Sequence, residues 1–288
     1  MDACMFFVTQ FGGALFFVLM AGGVLYTVGK KQAYLFCLSY LLGLACIGGL
    51  KAGIHRQRPF EVGALSIGDK TTGYSMPSGH AYSSAMVFVS SCKLQGDALV
   101  GGSVLWKKRA VVQKTSVVLG GVVCLLVALS RMYLGQHYLT DVLAGLVLGA
   151  LLAVALPKLL ALLGDKEENL AYVLVPLAVL VSMVVGVLCL QPVTSAVYKQ
   201  YLQIVKICGA CAGFFVGYLF EKKWIGHPAP GTARKALARL VLGGGVALVL
   251  FVVLGFLPNQ PLFGFVRYFC VVFWGMCGAF WVFAKCKL

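Results

Sequence analysis

The chain has 288 residues, of which 60% are hydrophobic and only 11% charged, with a mean hydropathy of +0.92. A soluble domain cannot hide that much apolar surface, because ordinary usage is about 45–50% apolar and about 25% charged. The net charge of +15 does not point to nucleic acid, since the basic residues lie in short stretches between apolar runs, where they read as a membrane topology signal.

Apolar runs near the roughly 20 residues that cross a bilayer predict an all-α, polytopic transmembrane bundle. Nine spans are expected, at about 7–28, 33–50, 80–95, 115–130, 141–162, 170–190, 203–220, 240–257 and 265–284. The first follows Met1-Asp2-Ala3-Cys4, which lacks the basic leader of a cleavable signal peptide. Glycines such as Gly43, Gly48, Gly49, Gly120, Gly121, Gly145 and Gly149 fall within spans, where small residues allow helices to pack closely in lipid.

The second span ends in Lys51-Ala52-Gly53-Ile54-His55-Arg56-Gln57-Arg58-Pro59. Pro59 disfavours helical backbone at Arg58, so the helix stops here with its cations at the interface. Arg56 reads as a basic stop at the membrane surface, and His55 as an interfacial residue or a headgroup contact. Next, Gly73-Tyr74-Ser75-Met76-Pro77-Ser78-Gly79-His80 runs into the third span. Ser78 and Gly79 at a helix start would offer free backbone N–H groups to an anion, with His80 on the first turn beside it.

Between the fourth and fifth spans lies Ser130-Arg131-Met132-Tyr133-Leu134-Gly135-Gln136-His137-Tyr138-Leu139-Thr140-Asp141. Membrane-flanked segments rarely hold an arginine, a histidine and an aspartate without reason. His137 and Asp141 are four apart and share a face if helical. A carboxylate beside an imidazole fixes its tautomer and stabilises the imidazolium. Arg131 adds a planar donor fork suited to phosphate oxygens. A lone ion pair closing an interhelical loop is the plainer alternative.

A boundary is expected near Lys166-Glu167-Glu168-Asn169, separating a five-span core, residues 1–165, from a four-span extension, residues 166–288, that serves as scaffold or substrate wall. Cys208-Gly209-Ala210-Cys211 has metal or redox spacing but no second pair and no nearby histidine, so no metal is expected there. The eleven cysteines form no disulfide framework. His227 lies in a loop apart from the other polar motifs, and Trp224, Trp274 and Trp281 fit interfacial or packing roles.

Sixteen of the twenty-four basic residues collect on one side of this arrangement. The positive-inside rule makes that side cytoplasmic, with the N-terminus outside and the C-terminus inside. Lys51, Arg58 and Arg131 then lie on the outer side against the rule, which argues for another role.

Taken together, Lys51-x6-Arg58-Pro59, Pro77-Ser78-Gly79-His80 and Ser130-Arg131-x5-His137-x3-Asp141 resemble the signatures of the type 2 phosphatidic acid phosphatase family, whose site design is shared with vanadium haloperoxidases. The resemblance covers about residues 33–162 and leaves the last four spans outside. It implies that Lys51, Arg58, Ser78, Gly79 and Arg131 hold a phosphate. It further implies that His137 attacks phosphorus, that Asp141 orients it, and that His80 protonates the leaving oxygen and then activates water. No cofactor or metal ion is implied.

These readings converge on a metal-independent membrane phosphatase acting on a lipid phosphate or diphosphate in the outer leaflet of a bacterial inner membrane. Undecaprenyl diphosphate, phosphatidylglycerophosphate and phosphatidate are the candidate substrates that the resemblance implies, with the polyprenyl diphosphate ranked first. Rival readings are a glucose-6-phosphatase-like enzyme, a lipid phosphotransferase and, from a different class, a transporter or lipid-binding protein, which would carry charges at mid-membrane depth and internal pseudo-symmetry.

Overall fold

The computed structural model describes residues 1–28, 30–68, 70–98, 106–162, 169–227 and 233–288, and the side chains of these except at 27, 28, 31, 32, 93–98, 106–113, 196 and 233. Among the described residues the regular elements are helical, as the apolar runs require. In chain order they are α1 (Asp2–Thr9), α2 (Ala14–Gly23), α3 (Lys30–Ile54), α4 (Gly79–Ala98), α5 (Trp106–Tyr133), α6 (Leu139–Ala161), α7 (Asn169–Leu188), α8 (Ser195–Phe220), α9 (Ala233–Val253), α10 (Pro261–Phe273) and α11 (Ala279–Lys285). Short 3-10 or π turns follow several of them.

Among the described residues seven helices are long and apolar enough to cross a membrane, and a bent pair, Asp2–Gly12 with Ala14–Tyr26, makes an eighth if taken as one span. Two of the nine expected spans take a form that composition alone does not show. The first is broken by 48° at Gly13, which takes extended backbone. The third corresponds to α4, which is helical but too polar to be counted with the other seven, because His80, Lys93 and Gln95 interrupt its apolar sequence along with Ser83, Ser84, Ser90 and Ser91. Residues 81–87 of α4 are all buried. Over these two turns protein covers the helix on every side, so hydroxyls are tolerated where lipid would reject them. Ser84 satisfies its own by donating to the Ala81 carbonyl at 2.9 Å.

The chain packs as two compact units, one of Met1–Met20 with Gly49–Leu159 and one of Ala21–Gly48 with Leu160–Leu288. The expected boundary near 166 lies outside the described residues. Packing instead assigns most of α3 to the unit that holds the C-terminal helices.

In the first unit α6 lies backbone-close against α4. A Cβ added at Gly145 would fall 2.5 Å from the Ser78 carbonyl oxygen, and one at Gly149 would fall 2.4 Å from that of Tyr82. Glycines four apart thus seat α6 on the start of α4. Ala81, Ala128 and Val142 fill the space between α4, α5 and α6. Gly120 of α5 packs on Phe88, whereas Gly49 and Gly121 face open space and do not have the packing role expected of them.

The second unit repeats the device along α8. Gly209 and Gly213 meet the carbonyls of Phe265 and Phe269, and Gly217 meets Met276. The Cys208–Cys211 stretch is therefore part of a helix seam. Lys30 pairs with Glu221, whose carboxylate also accepts the His227 amide at 3.1 Å. Trp274 donates to the Gly243 carbonyl at 3.0 Å.

Candidate active site

Four helix ends meet in the first unit: the C-termini of α3 and α5 and the N-termini of α4 and α6. Arg58 has extended backbone before Pro59, as the sequence requires. That conformation turns its side chain inward, and only 3% of the residue is exposed. Its Nε donates to the Gly73 carbonyl at 2.6 Å, Nη2 to Thr72 at 3.0 Å, and Nη1 to Gln136 at 3.0 Å. One guanidinium thereby clamps the 72–74 loop to the α5–α6 turn. Lys51 donates to the Tyr74 carbonyl, which also accepts from Arg58 at 3.4 Å.

Arg58 Nη1 also lies 3.2 Å from His137 Nε2. A guanidinium can only donate, so Nε2 presents its lone pair and the ring proton sits on Nδ1. Nδ1 faces Ser75 Oγ at 3.4 Å and Asp141 Oδ2 at 3.6 Å. The second distance is longer than a hydrogen bond, so Asp141 reaches His137 largely through the field of its charge and through Ser75. Burial pushes the His137 pKa down to about 3, with Arg58, Arg131 and Lys51 acting in the same direction and Asp141 opposing them. In the ordinary pH range the imidazole is neutral and has a lone pair to give.

Asp141 is fully buried. Oδ2 accepts from Ser75 Oγ at 2.5 Å and from the Tyr138 amide at 2.9 Å, the latter capping the start of α6. Oδ1 accepts from Arg56 at 2.8 Å. Arg56, read from the sequence as an interfacial stop, instead grips this carboxylate and Thr140 Oγ1 while its guanidinium lies over the Tyr138 ring. His55 sets its ring edge against Tyr74.

The Ser78 amide does not stay free as expected, because it donates to the Asp141 carbonyl at 2.9 Å. Its buried hydroxyl has no partner among the described residues, and a Cβ added at Gly79 would meet nothing within 4 Å. The start of α4 thus keeps an unpaired donor beside open space. His80, on the same turn, is within electrostatic reach of Arg131, His137, Arg58 and Lys51. Arg131 is buried, its Nη2 is 3.5 Å from Thr71 Oγ1, and its Nε has no partner among the described residues. The structure therefore brings all eight residues singled out by sequence to one place.

Sequence reasoning gives no catalytic part to Ser75, Arg56 or Gln136. Gln136 is 1% exposed and ties three segments, accepting from Thr71 N and Oγ1 and donating to Ser66 Oγ at 2.9 Å. Its place beside His137 is the one available cue. Ser75→Ala removes the hydroxyl between Asp141 and His137. We expect kcat to fall about tenfold or more, the worth of one hydrogen bond to a charged group, with KM little changed. Single-turnover kinetics checks this, and an unchanged chemical step would show that Ser75 has no part in orienting the ring.

Residues 32–164 match the PAP2 superfamily model, and residues 205–288 match that of the PAP2 superfamily phosphatase transmembrane extension. The chain belongs to the PAP2 superfamily. The PAP2 match runs from α3 through α6 and contains every residue of the candidate site named so far. The extension match gives a family place to helices that the sequence resemblance had left outside. A phosphatidylglycerophosphatase B of Bacillus subtilis is 37% identical over 103 residues, 36% of this chain and 45% of that protein. This PAP2 chain thus aligns with less than half the length of that curated relative. The crystal structure of a transmembrane PAP2-type phosphatidylglycerolphosphate phosphatase from Bacillus subtilis is 25% identical, with a TM-score of 0.46 over 57% of this chain and 78% of that one.

Proposed function

We propose that this PAP2 protein is an integral, multi-pass membrane phosphatase that hydrolyses a lipid phosphate or diphosphate through a phosphohistidine. The observation that carries this reading is a neutral His137 whose Nε2 lone pair faces buried Arg58, with buried Arg131 and half-buried Lys51 within electrostatic reach. Phosphate oxygens would be met by the Lys51 ammonium, by the Arg58 donor that now faces His137 Nε2 and by the Arg131 Nε, while the carbonyl and hydroxyl partners keep both guanidiniums in place. Backbone N–H groups in the first turn of α4, which lack intrahelical acceptors, and the Ser78 hydroxyl add further donors.

In the first step His137 Nε2 forms a bond to phosphorus as the phosphorus–oxygen bond to the lipid breaks, and His80 gives its proton to the departing oxygen. The positive charge that develops on His137 is stabilised at Nδ1 by Asp141 and Ser75. In the second step neutral His80 takes a proton from water, whose oxygen bonds to phosphorus while the nitrogen–phosphorus bond breaks. His80 ends protonated, as it began. The bound phosphate is itself what favours a protonated His80 among so many cations.

A lipid substrate is favoured because the site lies at the ends of membrane-spanning helices, where a headgroup can enter while its tail stays in the bilayer. Undecaprenyl diphosphate, phosphatidylglycerophosphate and phosphatidate all fit this geometry. Phosphate release from these and from glucose 6-phosphate by purified protein tests it. Turnover of the sugar phosphate alone would replace the lipid reading.

The distribution of basic residues favours a site on the non-cytoplasmic face, with the N-terminus outside. In a cysteine-free background in intact cells, Leu65→Cys should react with an impermeant thiol reagent and Lys107→Cys should not. The reverse pattern would move the site to the cytoplasmic face. Because Lys51, Arg58 and Arg131 supply the positive charge, activity should survive excess chelator, and vanadate, which imitates five-coordinate phosphorus, should inhibit. Loss on EDTA treatment with rescue by magnesium would replace this mechanism with a metal-assisted one.

A further inference from the structure

The phosphate site has one wall that the PAP2 match, which starts at residue 32, does not contain. Arg131 Nη1 donates to Thr9 Oγ1 at 3.2 Å, and both residues are buried, at 3% and 4% exposure. Among the described residues no carboxylate pairs with Arg131. Its fork is held by two threonine hydroxyls, and the Thr71 contact is the longer.

The N-terminal helix that supplies Thr9 is fixed along its whole length. At its start Asp2 accepts from Tyr133 Oη at 2.8 Å. In its middle the tip of the Phe6 ring packs on Gly68, where a Cβ would come within 2.2 Å of it. At its end Gly12 lies so close to His80 that a Cβ would fall 2.5 Å from the His80 carbonyl oxygen. Apolar packing alone would be served as well by valine as by threonine at position 9. A buried hydroxyl needs a partner, and the partner found is the guanidinium.

We propose that the N-terminal helix Asp2–Gly12 is a wall of the phosphate site and that Thr9 is a positioning residue for Arg131. The proposal rests on Arg131 being a phosphate ligand. Thr9 and Thr71 hold the two terminal nitrogens, so that the fork is already oriented when a phosphate oxygen arrives, and the unpaired Nε is left for the anion. Pre-set orientation of this kind matters more to a five-coordinate phosphorus than to the ground state.

The test measures kcat/KM on the preferred lipid phosphate and the vanadate inhibition constant for Thr9→Val and Thr9→Ser, each in the native and the Arg131→Lys backgrounds. Thr9→Val should weaken vanadate binding and lower kcat/KM by about tenfold to a hundredfold, the worth of one hydrogen bond to a charged group. Thr9→Ser, which keeps the hydroxyl, should restore both to within about threefold. In the Arg131→Lys background the fork that Thr9 orients is gone, so the valine penalty should largely vanish there. Thermal unfolding in detergent monitors folding, and Thr9→Ala, which leaves space rather than strain, repeats the test should the valine variant be lost. A native-like Thr9→Val, a serine variant as impaired as the valine one, or a penalty that persists in full in the Arg131→Lys background would each overturn the proposal. An Arg131→Lys variant with native vanadate affinity and kcat/KM would overturn the phosphate role of Arg131 itself, and the proposal with it.

Discussion

His137→Ala abolishes phosphate release whatever the leaving group, because no bond to phosphorus can form without Nε2. His80→Ala behaves differently. General acid–base groups contribute typically about 10² to 10⁴-fold, so most activity on a lipid phosphate is lost, since its alkoxide departs poorly without a proton. With para-nitrophenyl phosphate the leaving group needs little help, and the phosphohistidine forms faster than unassisted water removes it. Rapid mixing of His80→Ala with this ester should show a burst of nitrophenol followed by a slow steady state. Asp141→Asn should fall between the two, since it weakens the hold on Nδ1 without removing the nucleophile. A burst from His137→Ala and none from His80→Ala would reverse the two roles.

Arg58→Lys carries the second large effect. Lysine keeps the charge but has one nitrogen where Arg58 uses three, and it cannot reach Gly73, Thr72 and Gln136 together. The clamp on the 72–74 loop opens, and the donor facing Nε2 is lost at the point of attack. Removing one preorganised donor to a developing oxyanion costs about 10² to 10³-fold in kcat, and the loosened loop adds to that. We expect kcat/KM to fall at least about a thousandfold, with a lowered unfolding temperature in detergent. A variant within about tenfold of native would show that charge alone is required there.

Low pH offers a check on the environment of His137. Its folded pKa, about 3, lies below the ordinary value of 6.5, so protonation favours the unfolded chain between those limits. The His137 contribution therefore leaves stability unchanged above about 6.5 and lowers it as pH falls toward 3. It also supplies no acid limb to kcat/KM in the ordinary range.

How much of this is legible in the sequence follows from what kind of force sets each feature. The all-α membrane class is legible because bilayer thickness and the need to satisfy every backbone group act on local composition alone. The eight candidate residues are legible because three short signatures carry them at fixed spacing. The end of α3 at Pro59 is a local steric effect and is equally readable. Features that depend on neighbours from elsewhere in the chain are not. α4 looks like an ordinary span, but Ser83 and Ser84 are tolerated because protein rather than lipid surrounds residues 81–87. Arg56 looks like an interfacial stop until the fold sets it 2.8 Å from a carboxylate 85 positions away. The Ser78 amide, free by helix logic, is taken by the Asp141 carbonyl because Gly145 lets α6 approach so closely. Thr9 carries no motif at all, and only the 48° break at Gly13 lays its helix beside Arg131. Local chemistry therefore gives the class, the candidate residues and the helix ends that hold them. Which proton His137 carries, what orients it and which segment lies against Arg131 are settled only by the packed chain, because they depend on distances of a few ångströms between residues that no local rule relates.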